Sequence, residues 1–311
     1  MHTILAHSLD HDNMALPPSY PPDLATAPTR AIPDIVTREP LILVFDSGLG
    51  GLTVFAGIAR LRPGADYVYV ADDAIFPYGR LEPDVLIARV HAIMAAMIGR
   101  ARPDLVVIAC NTASTLVLPD LRATWPDIPF VGTVPAVKPA ALQSRSHMIS
   151  VLATPGTVAR DYTRDLIRDY AAHCAVTLVG SRRLAPIAEA FMHGEAVDEA
   201  EIAREIAPCF VEVDGRRTDH VVLACTHYPL LLSHFERLAP WPVEFVDPAP
   251  AIARRVDHVL REQGFAAADH GAEPRMGAAI FTSGAQAQGA LADLLRERHL
   301  VQQAAPFIGQ P

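Results

Sequence analysis

From residue 41 onward, short continuous apolar runs alternate with longer segments whose apolar positions recur at helical spacing. The run LILVF ends in the small and acidic residues DSGLGG, and LTVFAGIARLRP then reads as a helix that stops before Pro63. ADYVYVADD predicts a second strand, VLIARVHAIMAAMIGRA a long helix, DLVVIACNTAS a third strand running into a loop, and PFVGTVP a fourth strand. The pattern then restarts. MISVLATPGTV predicts a strand and turn, VARDYTRDLIRDYA a helix, AVTLVGS a strand, LAPIAEAFM and EAEIAREIAPCFVEV two helices, and DHVVLACTHYP another strand and turn. VEFVDPAPAIARRVDHVLREQ follows, then the strand-like AAIFTSG and a helix through ALADLLRERHL, and residues 301–311 read as frayed. Fully apolar strands alternating with helices predict an α/β architecture, with parallel sheets covered by helices on both faces.

Two stretches of this pattern echo one another. DLVVIACNT (104–112) and DHVVLACTH (219–227) match at Asp104/Asp219, Val106/Val221, Val107/Val222, Ala109/Ala224 and Cys110/Cys225. Two turns after apolar strands, FDSGLGG around Asp46 and ATPGTVA around Thr154, stand at nearly the same separation. Echoes in one order indicate two copies of one α/β unit. The length of 311 residues also suits two domains, at roughly 150 residues each.

Half of the residues are hydrophobic, 20% are charged and the net charge is −9. This balance excludes wholesale disorder and argues against nucleic acid as a partner. A small anionic substrate remains compatible, because backbone N–H groups bind anions without Lys or Arg. Four cysteines with no C-x-x-C pair are not a disulfide framework in a chain this long. The opening MHTILAHSLDHDN lacks a signal-peptide pattern, and no apolar run reaches the ~18 residues a bilayer span requires. The expectation is a cytoplasmic protein with reduced thiols and no membrane association. Residues 1–38 carry Pro17, Pro18, Pro21, Pro22, Pro28 and Pro33, too dense for helix or ladder. They read as a disordered extension in which Met14 is an alternative start.

Candidate chemistry sits at the strand ends, where parallel α/β sheets bind ligands. Cys110 and Cys225 end the echoed strands, beside Asn111-Thr112 and Thr226-His227. Two facing domains would aim both thiols at one substrate from opposite sides. That geometry suits two-base proton transfer: one thiolate removes a proton from carbon and the other thiol returns one to the opposite face, inverting the centre with no redox change. A free cysteine is often mere packing, and Cys174 and Cys209, which lack such neighbours, are read that way. A thiolate needs a helper; His227 is the candidate for Cys225 and Asp46 for Cys110. The turn with Gly48, Gly50 and Gly51 matches neither the dinucleotide nor the P-loop pattern, and suits amides that bind a carboxylate with Ser47 donating. Pro77-Tyr78-Gly79 follows the second strand and can close the same pocket. No strand-end lysine with a phosphate cup suggests pyridoxal phosphate, since the conspicuous Lys138 lies in VPAVKPA. Neither a cofactor nor a metal is therefore expected.

These motifs resemble the glutamate racemases, within the cofactor-independent aspartate/glutamate racemase superfamily. FDSGLGG (45–51), FPYG (76–79), ACNTAS (109–114), GTVPAVKPA (132–140), LATPGTV (152–158), APIAE (185–189) and ACTHYPLL (224–231) come in that family's order. The resemblance covers roughly residues 41–300 and implies interconversion of L- and D-glutamate, supplying D-glutamate for peptidoglycan. It casts Cys110 and Cys225 as the acid/base pair, serving the D- and L-enantiomer respectively, with Asp46, His227 and Glu189 beside them. Asp46, Ser47, Pro77, Tyr78, Gly79, Asn111, Thr112, Thr154, Thr226 and His227 are the implied substrate contacts. The implied fold is two pseudo-symmetric doubly wound α/β domains with the site in the cleft between them. Residues 39–133 plus 250–300 would make the first and 134–249 the second, with 1–38 and 301–311 as tails. A homodimer is implied without its contact faces. The family's Asp-Thr-Ala-Arg reads Asp72-Asp73-Ala74-Ile75 here, and its Ala-Cys-Pro reads Gly180-Ser181-Arg182. The first departure bears on a pocket wall, and the second removes a third cysteine that two-base chemistry does not need.

Four alternatives fit part of the pattern. A racemase of the same superfamily acting on aspartate or another amino acid differs only in pocket size. A cysteine hydrolase using Cys225 and His227 leaves Cys110 and the echo unexplained. A zinc site from Cys110, Cys225 and His227 lacks standard spacing. A two-lobed binding protein has no need of paired thiols.

Overall fold

A computed structural model describes residues 38–305. All of the N-terminal extension except Arg38 therefore lies outside the described residues, as does 306–311. The strands are β1 (Leu41–Asp46), β2 (Asp66–Ala71), β3 (Leu105–Ile108), β4 (Phe130–Gly132), β5 (Met148–Ala153), β6 (Ala175–Gly180), β7 (Glu212–Val213), β8 (Arg216–Arg217), β9 (His220–Ala224), β10 (Glu244–Val246), β11 (Gly277–Phe281) and β12 (Leu300–Gln303). The α-helices are α1 (Leu52–Leu61), α2 (Pro83–Ala101), α3 (Asn111–Thr124), α4 (Val137–Gln143), α5 (Pro155–Val158), α6 (Asp161–Tyr170), α7 (Leu184–Met192), α8 (Glu199–Ile206), α9 (Leu232–Leu238), α10 (Ala249–Glu262) and α11 (Gly289–Glu297).

Two parallel sheets carry the fold. One has the order β12-β11-β2-β1-β3-β4 and the other β10-β9-β5-β6. The segment β2-β1-β3-β4 of the first and β6-β5-β9-β10 of the second have the same connectivity, so β1 corresponds to β5 and β3 to β9. The echo seen in the sequence is thus a repeat of topology. On β1, Ile42 and Val44 enter one core cluster while Leu43 and Phe45 enter another, on the opposite face. On β9, Val221 and Leu223 face one way, and Val222 and Ala224 the other. Both faces are dry, which is why these strands are apolar at every position. Each such side chain, fully buried, contributes roughly 1.5–3 kcal/mol.

The echoed aspartates have a shared structural task. Asp104 accepts from the Leu41 N–H at 2.8 Å, at the start of β1, and from the Arg38 guanidinium at 2.7 Å. Asp219 accepts from Ser144 Oγ at 2.7 Å, Arg145 N at 2.8 Å and Ser146 N at 2.9 Å, just before β5. In each half, the residue that leads into the cysteine strand also anchors the entry to its neighbour. Burial would raise the Asp219 pKa, but its bonds from His220, Ser146, Ser144 and Arg145 outweigh that and hold it well below the usual carboxylate range.

Four sequence expectations change. The segment after Cys110 is not a loop, because α3 begins at once at Asn111, with Cys110 in the capping position. EAEIAREIAPCFVEV is not one helix. α8 stops at Ile206, Pro208 sits in a single 3₁₀ turn, and Val213 enters a hairpin whose turn residues Asp214 and Gly215 have φ of 52° and 74°. α11 ends at Glu297, and the frayed tail expected from 301 instead continues β12 to Gln303, in parallel pairing with β11. Leu300 is buried while Val301 is exposed, so this edge strand lacks the continuous apolar run by which the others were read. Helix α4, inside the GTVPAVKPA motif, carries no clear periodicity and is found only in the structure.

Asp219→Ala should cost roughly 1–3 kcal/mol in urea unfolding, since it strands two backbone N–H groups. The folded-state pKa is lowered, so the contribution is fully present above the ordinary value of 3.8 and is lost as pH falls through the folded value. The gap between wild type and variant should therefore be constant near neutrality and shrink in acid. A gap that does not depend on pH would refute the assignment to the carboxylate.

Candidate active site

The carboxyl ends of β1, β3, β5 and β9 deliver the polar residues. Asp46 closes β1, Cys110 follows β3, Thr154 follows β5 and Cys225 follows β9. Asp46, Cys110 and Cys225 are all buried. The two halves interlock at the FDSGLGG turn. A β-carbon on Gly50 would lie 2.5 Å from His227 Nδ1 and 2.7 Å from Thr226 Oγ1, and one on Gly51 would lie 2.5 Å from Asp46 Cβ. Glycine at position 50 lets the first half's turn reach the second half's residues, and glycine at position 51 lets that turn fold back over Asp46.

Around Cys225, His227 Nδ1 lies 3.9 Å from the sulfur. The other ring nitrogen, Nε2, is 2.7 Å from Glu189 Oε2 and 3.3 Å from the Gly50 amide. The shorter contact, to a charged acceptor, places the Nε2 proton toward Glu189 and leaves Nδ1 for Cys225. Burial alone would lower the His227 pKa, but the bonds to Cys225 and Glu189 overcome it and raise it well above 6.5. Glu189, on α7, also accepts from the Leu49 amide at 3.1 Å, so one carboxylate orients the imidazole and clasps the opposite turn.

Around Cys110 the electrostatics are reversed. Burial first, and Asp46 second, push its thiol up to about 12, against opposing hydrogen bonds from the Ala113 amide and Ser47. Asp46 is itself raised to about 6 by burial, with His227 pulling it down. Its carboxyl accepts from Thr226 Oγ1 at 3.1 Å and from the Gly48 amide at 3.2 Å. One thiol thus faces a cation and the other a carboxyl that titrates near neutrality.

The remaining predicted contacts divide into two groups. Thr112 Oγ1 is 3.1 Å from Thr154 Oγ1, and Thr157 joins them at 3.2 Å from Thr154, which makes a small field of hydroxyls. Asn111 is buried with neither its amide nitrogen nor its oxygen hydrogen-bonded within the protein, so it is free to bind a polar ligand. Pro77, Gly79 and Thr154 line a cavity of about 390 Å³ that also meets Arg80, Ser181 and Arg182. This cavity borders the cleft and is not lined by either thiol. The Tyr78 hydroxyl is already engaged within the protein, donating to Asp72 Oδ2 at 2.6 Å.

That bond belongs to a network that the sequence reading missed. Asp72 is fully buried, takes two hydrogen bonds from Arg89 at 2.7 and 3.0 Å, and accepts from Thr282 Oγ1 at 2.6 Å. Tyr69 donates to the Gly48 carbonyl at 2.6 Å, and the Phe76 ring packs 5.2 Å from His227. Asp72 comes one residue after β2, as Asp46 ends β1, and that position was the available signal. Lys138 is exposed and lies 5.1 Å over the Tyr170 ring.

Comparison with known proteins accords with this geometry. Residues 54–256 match the model of the Asp/Glu/Hydantoin racemase family. The glutamate racemase of Brucella anthropi is 58% identical over 231 residues, covering 74% of this chain and 83% of that protein. That of Sinorhizobium medicae is 56% identical over 245 residues, covering 78% and 88%. Among solved structures, Escherichia coli glutamate racemase, in complex with L-glutamate and the activator UDP-MurNAc-Ala, superposes with a TM-score of 0.76 at 36% identity, over 88% of this chain and 100% of that one. With buried paired thiols at equivalent strand ends of a duplicated α/β fold, the chain belongs to the Asp/Glu/hydantoin racemase family and is an isomerase, an amino-acid racemase whose near relatives are glutamate racemases.

Proposed function

We propose that this racemase interconverts L- and D-glutamate by two-base proton transfer between Cys110, Cys225 and the α-carbon, without a cofactor, and so supplies D-glutamate for peptidoglycan in the cytoplasm. The observation that carries the reading is the placement of one buried thiol at each of two equivalent strand ends, each beside its own titratable helper. The substrate follows from the relatives and from the E. coli structure with L-glutamate. The cavity beyond Gly79 and Thr154 offers room on the side-chain end.

In the L-to-D direction, the Cα–H bond of L-glutamate breaks and an S–H bond forms at Cys225, whose thiolate is favoured by the His227 imidazolium. Cys110, held as a thiol, gives its proton to the opposite face of the carbanion. The reverse direction requires Cys110 to lose its proton, and we assign Asp46, whose charge bears on that thiol, as the acceptor. The developing negative charge is met by fixed donors in a dry cleft, namely the turn amides, Asn111, and the Thr112 and Thr154 hydroxyls. Glu189 acts through His227 and is a positioning residue.

Cys110→Ser and Cys225→Ser should each lower racemisation by roughly 10²–10⁴-fold, the usual worth of a positioned acid or base. Because the equilibrium constant between enantiomers is one, kcat/KM must fall equally in both directions. The two variants should still differ in D₂O, where Cys110→Ser retains more Cα–H exchange with L-glutamate and Cys225→Ser with D-glutamate. Proton NMR with circular dichroism reads both quantities. A single-serine variant that racemises like wild type would sink the scheme, and turnover of L-aspartate in preference to glutamate would overturn the substrate.

The pH profile gives an independent check. Activity should fall as pH drops through about 6, where Asp46 takes up its proton. On the alkaline side it should fall when His227 loses its proton. Glu189→Gln removes a group that raises the His227 pKa, so the alkaline limb should move to lower pH while the acid limb stays near its place. An unmoved alkaline limb in that variant would contradict the role given to Glu189.

A further inference from the structure

The ends of β5 and β6 opposite the cleft bring together three side chains that proton transfer does not use. His147 immediately precedes β5, and His173 and Cys174 immediately precede β6. The two strands pair in parallel, and the Ala175 N–H donates to the His147 carbonyl at 2.7 Å. One ligand atom from each of His147, His173 and Cys174 lies within 4.8 Å of the others. Among the described residues this is where such atoms converge, rather than at the Cys110, Cys225 and His227 set weighed from the sequence.

The local structure prepares these groups for a ligand. The Asp219 bonds to Ser144, Arg145 and Ser146 fix the turn that leads into His147. His147 itself is held at φ 56°, a left-handed conformation that residues with a β-carbon rarely adopt. His173 Nε2 lies 3.2 Å from the Ala141 carbonyl, which can only accept, so Nε2 carries the proton and Nδ1 keeps a free lone pair. The Cys174 N–H donates to the Ala171 carbonyl at 2.9 Å, which fixes the second turn. Both imidazoles are exposed and Cys174 is half-buried, so an ion has direct entry from solvent.

We propose that His147, His173 and Cys174 bind one zinc-class divalent metal ion, with water as the fourth ligand. Two imidazoles and a thiolate are a borderline-soft set that suits zinc. Zn–N of about 2.1 Å and Zn–S of about 2.3 Å place tetrahedral ligand atoms roughly 3.3–3.7 Å apart. Side-chain rotations of about 1 Å therefore close the set. Binding breaks the Cys174 S–H bond, forms the metal–sulfur bond and releases one proton to solvent. The ion ties the entry of β5 to the entry of β6, and because it binds the folded state it stabilises the second half of the molecule.

The test uses the chelator-treated full-length chain, with Co²⁺ as a spectroscopic stand-in and Zn²⁺ as competitor. One equivalent of Co²⁺ should give a thiolate-to-cobalt charge-transfer band that Zn²⁺ abolishes. The band should persist in a Cys110→Ser/Cys225→Ser double variant and vanish in Cys174→Ser. His147→Asn, which leaves the thiol in place, should weaken binding at least tenfold, and Zn²⁺ should raise the Tm of wild type but not of Cys174→Ser. No band in wild type would overturn the proposal. So would a band that survives Cys174→Ser but disappears in the double variant, since that result places the ion in the cleft.

Discussion

The site depends on one close approach. At Gly50 the backbone of the first half lies so near the His227 ring that a single added carbon would fall 2.5 Å from a ring nitrogen. Around that contact, Leu49 N–H reaches Glu189, Glu189 reaches His227, and Thr226 reaches Asp46. Each of these bonds joins a residue of one half to a residue of the other or aligns a member of the pair. They exclude water and set charges against one another at short range, where a low dielectric makes the interactions strong. The raised pKa values of Asp46, Cys110 and His227 are consequences of that closure.

A duplicated scaffold carries unlike side chains around its two buried thiols. The strand order, the anchoring aspartates Asp104 and Asp219, and the cysteine positions all repeat. The chemistry around the thiols does not. Where the first half ends β1 on the carboxyl of Asp46, the second ends β5 on Ala153, with Thr154 following. Where the second half has His227 two residues after its cysteine, the first has Thr112. Symmetry of the backbone therefore sets one buried thiol at each of two equivalent strand ends, and asymmetry of the side chains gives each a different electrostatic setting. An enzyme whose two substrates are mirror images has no need of a mirror-symmetric site, because the protein is chiral throughout.

Much of this was legible in the chain. Parallel strands buried on both faces leave continuous apolar runs, and the residues at their ends are conspicuous for being polar, as with Asp46, Asn111-Thr112 and Thr226-His227. Helices with strong periodicity were placed closely, including α7 within LAPIAEAFM. What escaped has physical reasons. The edge strand β12 buries only Leu300 deeply, so it leaves no apolar run. Helix α3 begins on the polar residues that also end a strand, so its first turn reads as a loop. The Asp72 network joins residues as far apart as Arg89 and Thr282, and such long-range pairing has no local signature. The turning of the Tyr78 hydroxyl toward Asp72 belongs to the same class.

The buried amide of Asn111, which no protein group pairs with, bears on stability as well as on binding. A buried polar group without a hydrogen-bond partner costs roughly 1–3 kcal/mol, so a ligand that bonds Asn111 in place of water or of no partner would favour the folded state. Occupancy then stabilises the folded state in proportion to the logarithm of ligand concentration. A bound ligand would then lower the population of the open forms on which proteolysis acts. On the proposed function, the amino acid that this racemase converts would thereby also protect its folded chain.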